Sequence, residues 1–246
     1  VFRFVNQGKV LHEFNVLLLA PGVTIEQLNK IADPDRPRDA AALASLSGMI
    51  EATVGVLFAG PGQRSTATLA TDLLPGRTYA IRCVAHDSVT APPHFTLGMY
   101  SVLHVTNGKA PPAPASTARV DTIVAAEYAF QYPSTLAPGA HTFAFVNIGR
   151  RRHMALMALL RPGAATSQVV DLAKARKDPN QIFATLFERG EGVLHSFGGK
   201  PHPLGVLQLD LLPGRDYALI CFIPDSAGTP PHVMLGMSGT IHVAER

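Results

Sequence analysis

Apolar and polar residues alternate along much of this chain. FRFVN from Phe2 and FAFVN from Phe143 change character at nearly every position, and VLQLDLL (Val206–Leu212) does so over seven residues. A period of two marks a half-buried strand. YALICFI (Tyr217–Ile223) is apolar throughout and reads as a strand covered on both faces. Gly and Pro close these segments at regular intervals, as in LLPGR and LRPG, the pattern of an antiparallel sandwich. Helical signals are fewer. Thr24 and Gln27 form a capping box ahead of Ile25, Leu28 and Ile31. Asp178 followed by Pro179 predicts the start of a second helix that carries Ile182, Leu186 and Phe187 and stops at Gly190. These helices are expected to cover one flank of the sandwich.

The pattern occurs twice. LLPGRTYAIRCVAHDSVTAPPHFTLGMYSVLHV from Leu73 repeats as LLPGRDYALICFIPDSAGTPPHVMLGMSGTIHV from Leu211. Upstream, Val1 to Gly22 aligns without a gap on Thr142 to Gly163, which matches Asn6, Gly8 and His12 to Asn147, Gly149 and His153. About twenty residues before Phe143 (Val120 to His141) have no counterpart before Phe2, so the first strand of the first half is expected to be missing, and with it any signal peptide or anchor. Asn107 to Thr117 is dense in Pro and Ala without apolar periodicity and reads as a semi-extended linker. The predicted division is residues 1–106, a linker at 107–118, and residues 119–246. At 246 residues in all, each half is long enough to bury its own core. No stretch reaches the roughly 18 uninterrupted apolar residues of a membrane helix.

Each half holds one cysteine. Each cysteine is followed by ten residues, a His, four more residues and a Met: Cys83, His94 and Met99, then Cys221, His232 and Met237. The two cysteines could form one disulfide or lie as inert buried thiols, but neither accounts for a His and a Met at identical spacing in both copies. A thiolate, an imidazole and a thioether on one loop form a soft donor set suited to copper. With His12 and His153, each half reads His, Cys, His, Met. That order, with the first His after an Asn-x-Gly turn and the rest after a Gly-x-x-Tyr-x-x-x-Cys strand, resembles the cupredoxin family, and Pro-His-Val-Met-Leu-Gly-Met is similar to the type 1 copper loop of copper nitrite reductases.

The resemblance implies an all-β fold of two tandem cupredoxin-like Greek-key β-sandwiches with short helical insertions. It also implies one type 1 copper per half: His12, Cys83, His94 and Met99 in the first, His153, Cys221, His232 and Met237 in the second, with the methionines axial. The ten-residue spacing from Cys to His is longer than in the family, and Pro92-Pro93 and Pro230-Pro231 stiffen the approach. Nitrite reductases place a His for a catalytic copper next to the Cys, where this chain has Arg82 and Ile220. Multicopper oxidases use His-Cys-His, which Val84 and Phe222 exclude. The expectation is therefore electron transfer rather than an enzyme, in the periplasm or elsewhere outside the cytoplasm, with a protein redox partner. The alternative is a copper-free, membrane-extrinsic subunit scaffolding a larger envelope complex, with peripheral membrane association. His86, His104, His141, His195, His202 and His242 show no metal-type pairing.

A net charge of +3 without an aromatic-basic platform excludes a nucleic-acid partner. The sharpest cluster, Arg150-Arg151-Arg152, precedes His153 and is expected to present a positive field at the metal end, where the first half has Lys9-Val10-Leu11.

Overall fold

The computed structural model describes residues 1–32, 40–88, 90–108, 119–175, 177, 179–198, 203–226 and 228–246. Most of the linker, Asp178 and the centre of the GGKPHPLG loop therefore lie outside the described residues. The first half contains β1 (His12–Leu19), helices α1 (Ile25–Ala32) and α2 (Ala40–Met49), β2 (Ile50–Ala59), β3 (Thr68–Thr71), β4 (Thr78–Arg82) and β5 (Tyr100–His104). The second adds β6 (Arg119–Ala126), β7 (Ala129–Gln131), β8 (Thr135–Leu136), β9 (Gly139–Asn147), β10 (His153–Leu160), α3 (Thr166–Lys174), α4 (Pro179–Leu186), β11 (Phe187–Ser196), β12 (Gly205–Leu211), β13 (Asp216–Ile220) and β14 (Ser238–Val243).

Two sheets face each other, and both run through the two halves. The larger has nine strands in the order β5-β4-β1-β2-β11-β10-β13-β14-β8, and the smaller has five, β3-β12-β9-β6-β7. The join is self-complementary. At the centre of the large sheet Val56 pairs with Val193, and in the small sheet Leu69 pairs with Leu207. Each pair joins equivalent positions of the repeat, so the halves meet about a pseudo-two-fold axis, as identical subunits do in an isologous dimer. Backbones approach closely here. A Cβ on Gly205 would lie 2.3 Å from the Val54 carbonyl oxygen, and one on Gly192 would lie 2.9 Å from that of Val56.

One core fills the space between the sheets, from Val16, Leu18 and Tyr79 in the first half to Phe143, Met157 and Tyr217 in the second. The apolar run of β1 follows from its being covered on both faces. Val16 and Leu18 point into the sandwich, while Leu17 and Leu19 pack outward on Ile25 and Leu28 of α1. Val169 of α3 and Ile182 and Leu186 of α4 cover the same outer face in the second half. The repeated LLPGRxY segment has a physical reason. In each copy the buried tyrosine oxygen accepts a backbone N–H across the turn, from Leu74 to Tyr79 at 2.9 Å and from Leu212 to Tyr217 at 3.1 Å.

The capping box forms as expected, with the Thr24 N–H donating to Gln27 Oε1 at 2.9 Å and the Gln27 N–H to Thr24 Oγ1 at 3.3 Å. Two expectations change. The second-half helix ends at Leu186, and Phe187 begins β11. Gly190 is not a helix stop but a strand residue pressed against the Phe58 ring, where a Cβ would come within 2.9 Å. FAFVN lies in β9, but FRFVN makes only isolated bridges, Phe2 with Leu69 and Val5 with Arg64. Among the described residues the first half has no equivalent of β6, the strand that pairs along β9.

Candidate metal centre

In each half the strand that opens with the first His lies beside the strand that ends at the Cys, β1 against β4 and β10 against β13. The Asn-x-Gly turn sets where the His strand begins. Asn6 Oδ1 accepts the Gly8 N–H at 2.7 Å while its amide donates to the carbonyls of Val10 and Ala59. Asn147 likewise binds the Gly149 N–H at 3.0 Å and the Arg151 carbonyl at 2.8 Å.

The long loop from Cys to His is stapled back onto the cysteine. The Cys83 N–H donates to the Met99 carbonyl, the Phe95 N–H to the Cys83 carbonyl and the His94 N–H to the Ala85 carbonyl. Cys221, Met237, Val233, His232 and Ile223 repeat this set. A single 3-10 turn then carries each His, closed by Gly98 at φ 96° and Gly236 at φ 102°, a left-handed conformation that glycine adopts without strain.

These constraints bring three donor atoms together in each half. His12, Cys83 and His94 form one cluster, and His153, Cys221 and His232 the other, with the donor atoms of each within 4.8 Å of one another. The paired Nδ1 atoms are 3.0 Å apart in the first cluster and 3.1 Å in the second. Each Sγ lies 3.4 Å from the nearer Nδ1, on His94 or His232. Both cysteines are free and buried. Met99 and Met237 are tied to the cysteines by their backbone carbonyls, and Met237 is fully buried in the core.

The surroundings determine the state of these donors. His94 Nε2 is 2.9 Å from Asp87 Oδ1, and His232 Nε2 is 3.0 Å from Asp225 Oδ1. A carboxylate at Nε2 places the ring proton there and leaves Nδ1 as a lone pair facing the cluster. Burial, reinforced by the neighbouring His232, lowers the His153 pKa to about 4, so that ring is neutral. Burial raises both thiols, opposed by backbone N–H groups; the Glu13 N–H lies 3.2 Å from Cys83 Sγ and the Met154 N–H 3.4 Å from Cys221 Sγ. Burial also raises Asp225, but hydrogen bonds from Arg151, Tyr128 and His232 outweigh it and hold that carboxyl at about 2. Two imidazole nitrogens and a sulfur converge on a point where, without a cation, a single shared proton must satisfy both rings. A soft metal ion fits that place, and copper is the ion this donor set favours.

Asp87 and Asp225 were legible in hindsight, since both stand seven residues before the His in each copy. The three arginines are held in different ways. Arg151 is paired with Asp225 and Glu127, Arg152 stacks on the Phe197 ring at 4.6 Å, and Arg150 is exposed. Of the other histidines, His141 pairs with Asp121 at 2.6 Å, His195 is buried in β11 with its ring edge-on to Phe197, and His202 lies outside the described residues. Among the described residues no helix is long and apolar enough to cross a membrane.

No protein-family model and no curated relative matches the sequence. Among solved structures the chain is similar to auracyanin B, with 17% identity over 54% of this chain and 93% of that one and a TM-score of 0.35. It is also similar to an azurin of Methylomonas sp. strain J, at 14% identity, 52% and 98% coverage and a TM-score of 0.32. A multicopper oxidase aligns along 98% of this chain and 73% of its own, at 15% identity and a TM-score of 0.27. On its own strand order and on the placing of its His and Cys strands, the chain has a cupredoxin-like fold.

Proposed function

We propose that this chain is an electron carrier with one type 1 copper in each half. His12, Cys83 and His94, with Met99, would hold one ion, and His153, Cys221 and His232, with Met237, the other. The observation that carries the reading is the convergence, twice, of two Nδ1 atoms and one Sγ on a common point. Bound copper would supply a one-electron couple. The protein's part is to keep the donors still: two come from a loop stapled to its own cysteine and one from the neighbouring strand. Backbone N–H groups directed at each sulfur stabilise thiolate charge. Arg82 and Ile220 precede the cysteines, so neither half offers a His for an adjoining catalytic copper. The same reading carries a setting outside the cytoplasm and a protein redox partner.

Purified protein loaded with copper should show an intense thiolate-to-copper absorption in the visible. The band should halve in Cys83→Ser or Cys221→Ser and vanish in the double variant. Protein that takes up no copper would refute the reading and favour the scaffold role.

A further inference from the structure

We infer that Arg151 and Tyr128, acting through Asp225, lock His232 in place and make the second cluster the tighter of two unequal metal sites. The inference rests on the metal-binding reading above and adds to it two positioning residues and an order of loading. Asp225 accepts from His232 through Oδ1. Its other oxygen accepts the Tyr128 hydroxyl at 2.8 Å and pairs with Arg151 Nη1. Arg151 is itself anchored by Glu127 at 3.3 Å, and its guanidinium lies over the Tyr128 ring at 5.2 Å. The Tyr128 ring then meets the His232 ring edge-on, 5.1 Å between centroids and 72° between planes. Carboxylate, phenol and guanidinium thus hold one another as well as the imidazole.

The first half has the aspartate without the lock. Among the described residues, Asp87 has His94 as its hydrogen-bond partner, and its side chain is 53% exposed against 25% for Asp225. The difference is written in the sequence. Tyr128 and Glu127 form the turn between β6 and β7, within the segment that has no counterpart in the first half, and the position of Arg151 in the repeat is Val10. His153 and His232 are both fully buried, whereas His12 is half-exposed.

Two effects oppose each other. The unneutralised Asp87 attracts a cation; for a divalent ion about 6–7 Å away, across the imidazole, a carboxylate in water changes affinity by a factor of about eight. Loss of the partner that orients a ligating His typically costs about 10- to 100-fold in metal affinity, and an Asp87 that nothing else holds forfeits much of that orientation at His94. Orientation therefore wins, and the second site should load first and release last.

Divalent cobalt tests this, because its thiolate charge-transfer band reports binding without redox chemistry. Cys83→Ser leaves only the second site and Cys221→Ser only the first. Titration should give the Cys83→Ser protein a severalfold lower Kd for cobalt and a slower release to chelator. Arg151→Gln or Tyr128→Phe in that background should raise the Kd severalfold and bring it close to that of the first site, while Arg151→Lys keeps most of the affinity. Arg150→Gln, at the exposed neighbour, should change nothing, and Arg151→Gln should leave the first site's Kd unaltered in the Cys221→Ser background. Equal affinities in the two single-site proteins, or no response to Arg151→Gln, would overturn the inference while leaving metal binding intact. Absence of a thiolate band from both proteins would overturn the metal-binding reading and this inference with it.

Discussion

Replacing Gly205 by Ala tests how tightly the halves are joined. The new methyl carbon would sit 2.3 Å from the Val54 carbonyl oxygen, 2.9 Å from Val54 Cγ1 and 3.0 Å from the Val54 carbonyl carbon. Two of these atoms are backbone of β2, which is paired on one side with β1 and on the other with β11, so no side-chain rotation relieves the clash. Inserting a methyl into a well-packed interior costs about 1–3 kcal/mol, and backbone obstruction places this site in the upper part of that range. Reduced freedom of the unfolded chain returns about 0.4–1 kcal/mol. A net loss of about 2 kcal/mol lowers the melting temperature of a chain this size by about 4–8 °C. Thermal unfolding followed by circular dichroism measures it, with Gly48→Ala as the control: Gly48 is an exposed residue of α2 with open space around its Cβ position, so Ala there should stabilise slightly. Because the join runs through both sheets, the parent should melt in one transition. An unchanged midpoint for Gly205→Ala, or two separate transitions in the parent, would refute the close-packed seam.

Two further measurements bear on buried titratable groups. Burial, with Arg152 and Arg82 nearby, depresses the His195 pKa to about 3 from the usual 6.5, so the folded chain resists protonation that the unfolded chain accepts. The contribution is fully present above pH 6.5 and is lost as pH falls toward 3, by as much as about 4 kcal/mol; His195→Gln should flatten urea-denaturation stability between pH 7 and 4, and an unaltered slope would count against it. His141→Leu strips Asp121 of its 2.6 Å partner at a site where both are about 5% exposed; the expected loss is about 3–5 kcal/mol, and a loss under about 1 kcal/mol in chemical denaturation would show that the pair is not what keeps the carboxylate buried.

Repetition made the ligand candidates readable before any fold was known, since chance does not place Cys, His and Met at one spacing twice. Alternation identified β9 and β12, and the unbroken apolar run identified β13. The pairing between halves was not readable, because strand edges are joined by backbone groups that carry no residue code; its trace is the pair of glycines, Gly55 and Gly192, at equivalent places beside the axis. The end of α4 was misplaced for a different reason. Ile182, Leu186 and Phe187 pack into the same cluster of the core, so helical spacing continues through a residue that has already turned into strand. FRFVN alternates as well as FAFVN does, but a strand needs a neighbour to pair with, and alternation cannot report whether one is present.

The pseudo-two-fold axis has an electrostatic consequence. His12 stands level with Ala59 on β2, and His153 level with Ser196 on β11, three residues to either side of the Val56–Val193 pair and in opposite directions. Three strand spacings of about 4.8 Å across the sheet and about six residues of about 3.3 Å along it put the two histidines about 25 Å apart. A unit charge at one end is felt at the other as about 0.2 kcal/mol in water, and that separation is about three screening lengths at physiological salt. On the reading proposed above, oxidation or metal loading at one end would therefore leave the other end's affinity and potential nearly as they were, and two ions on one chain would titrate as though they belonged to different molecules.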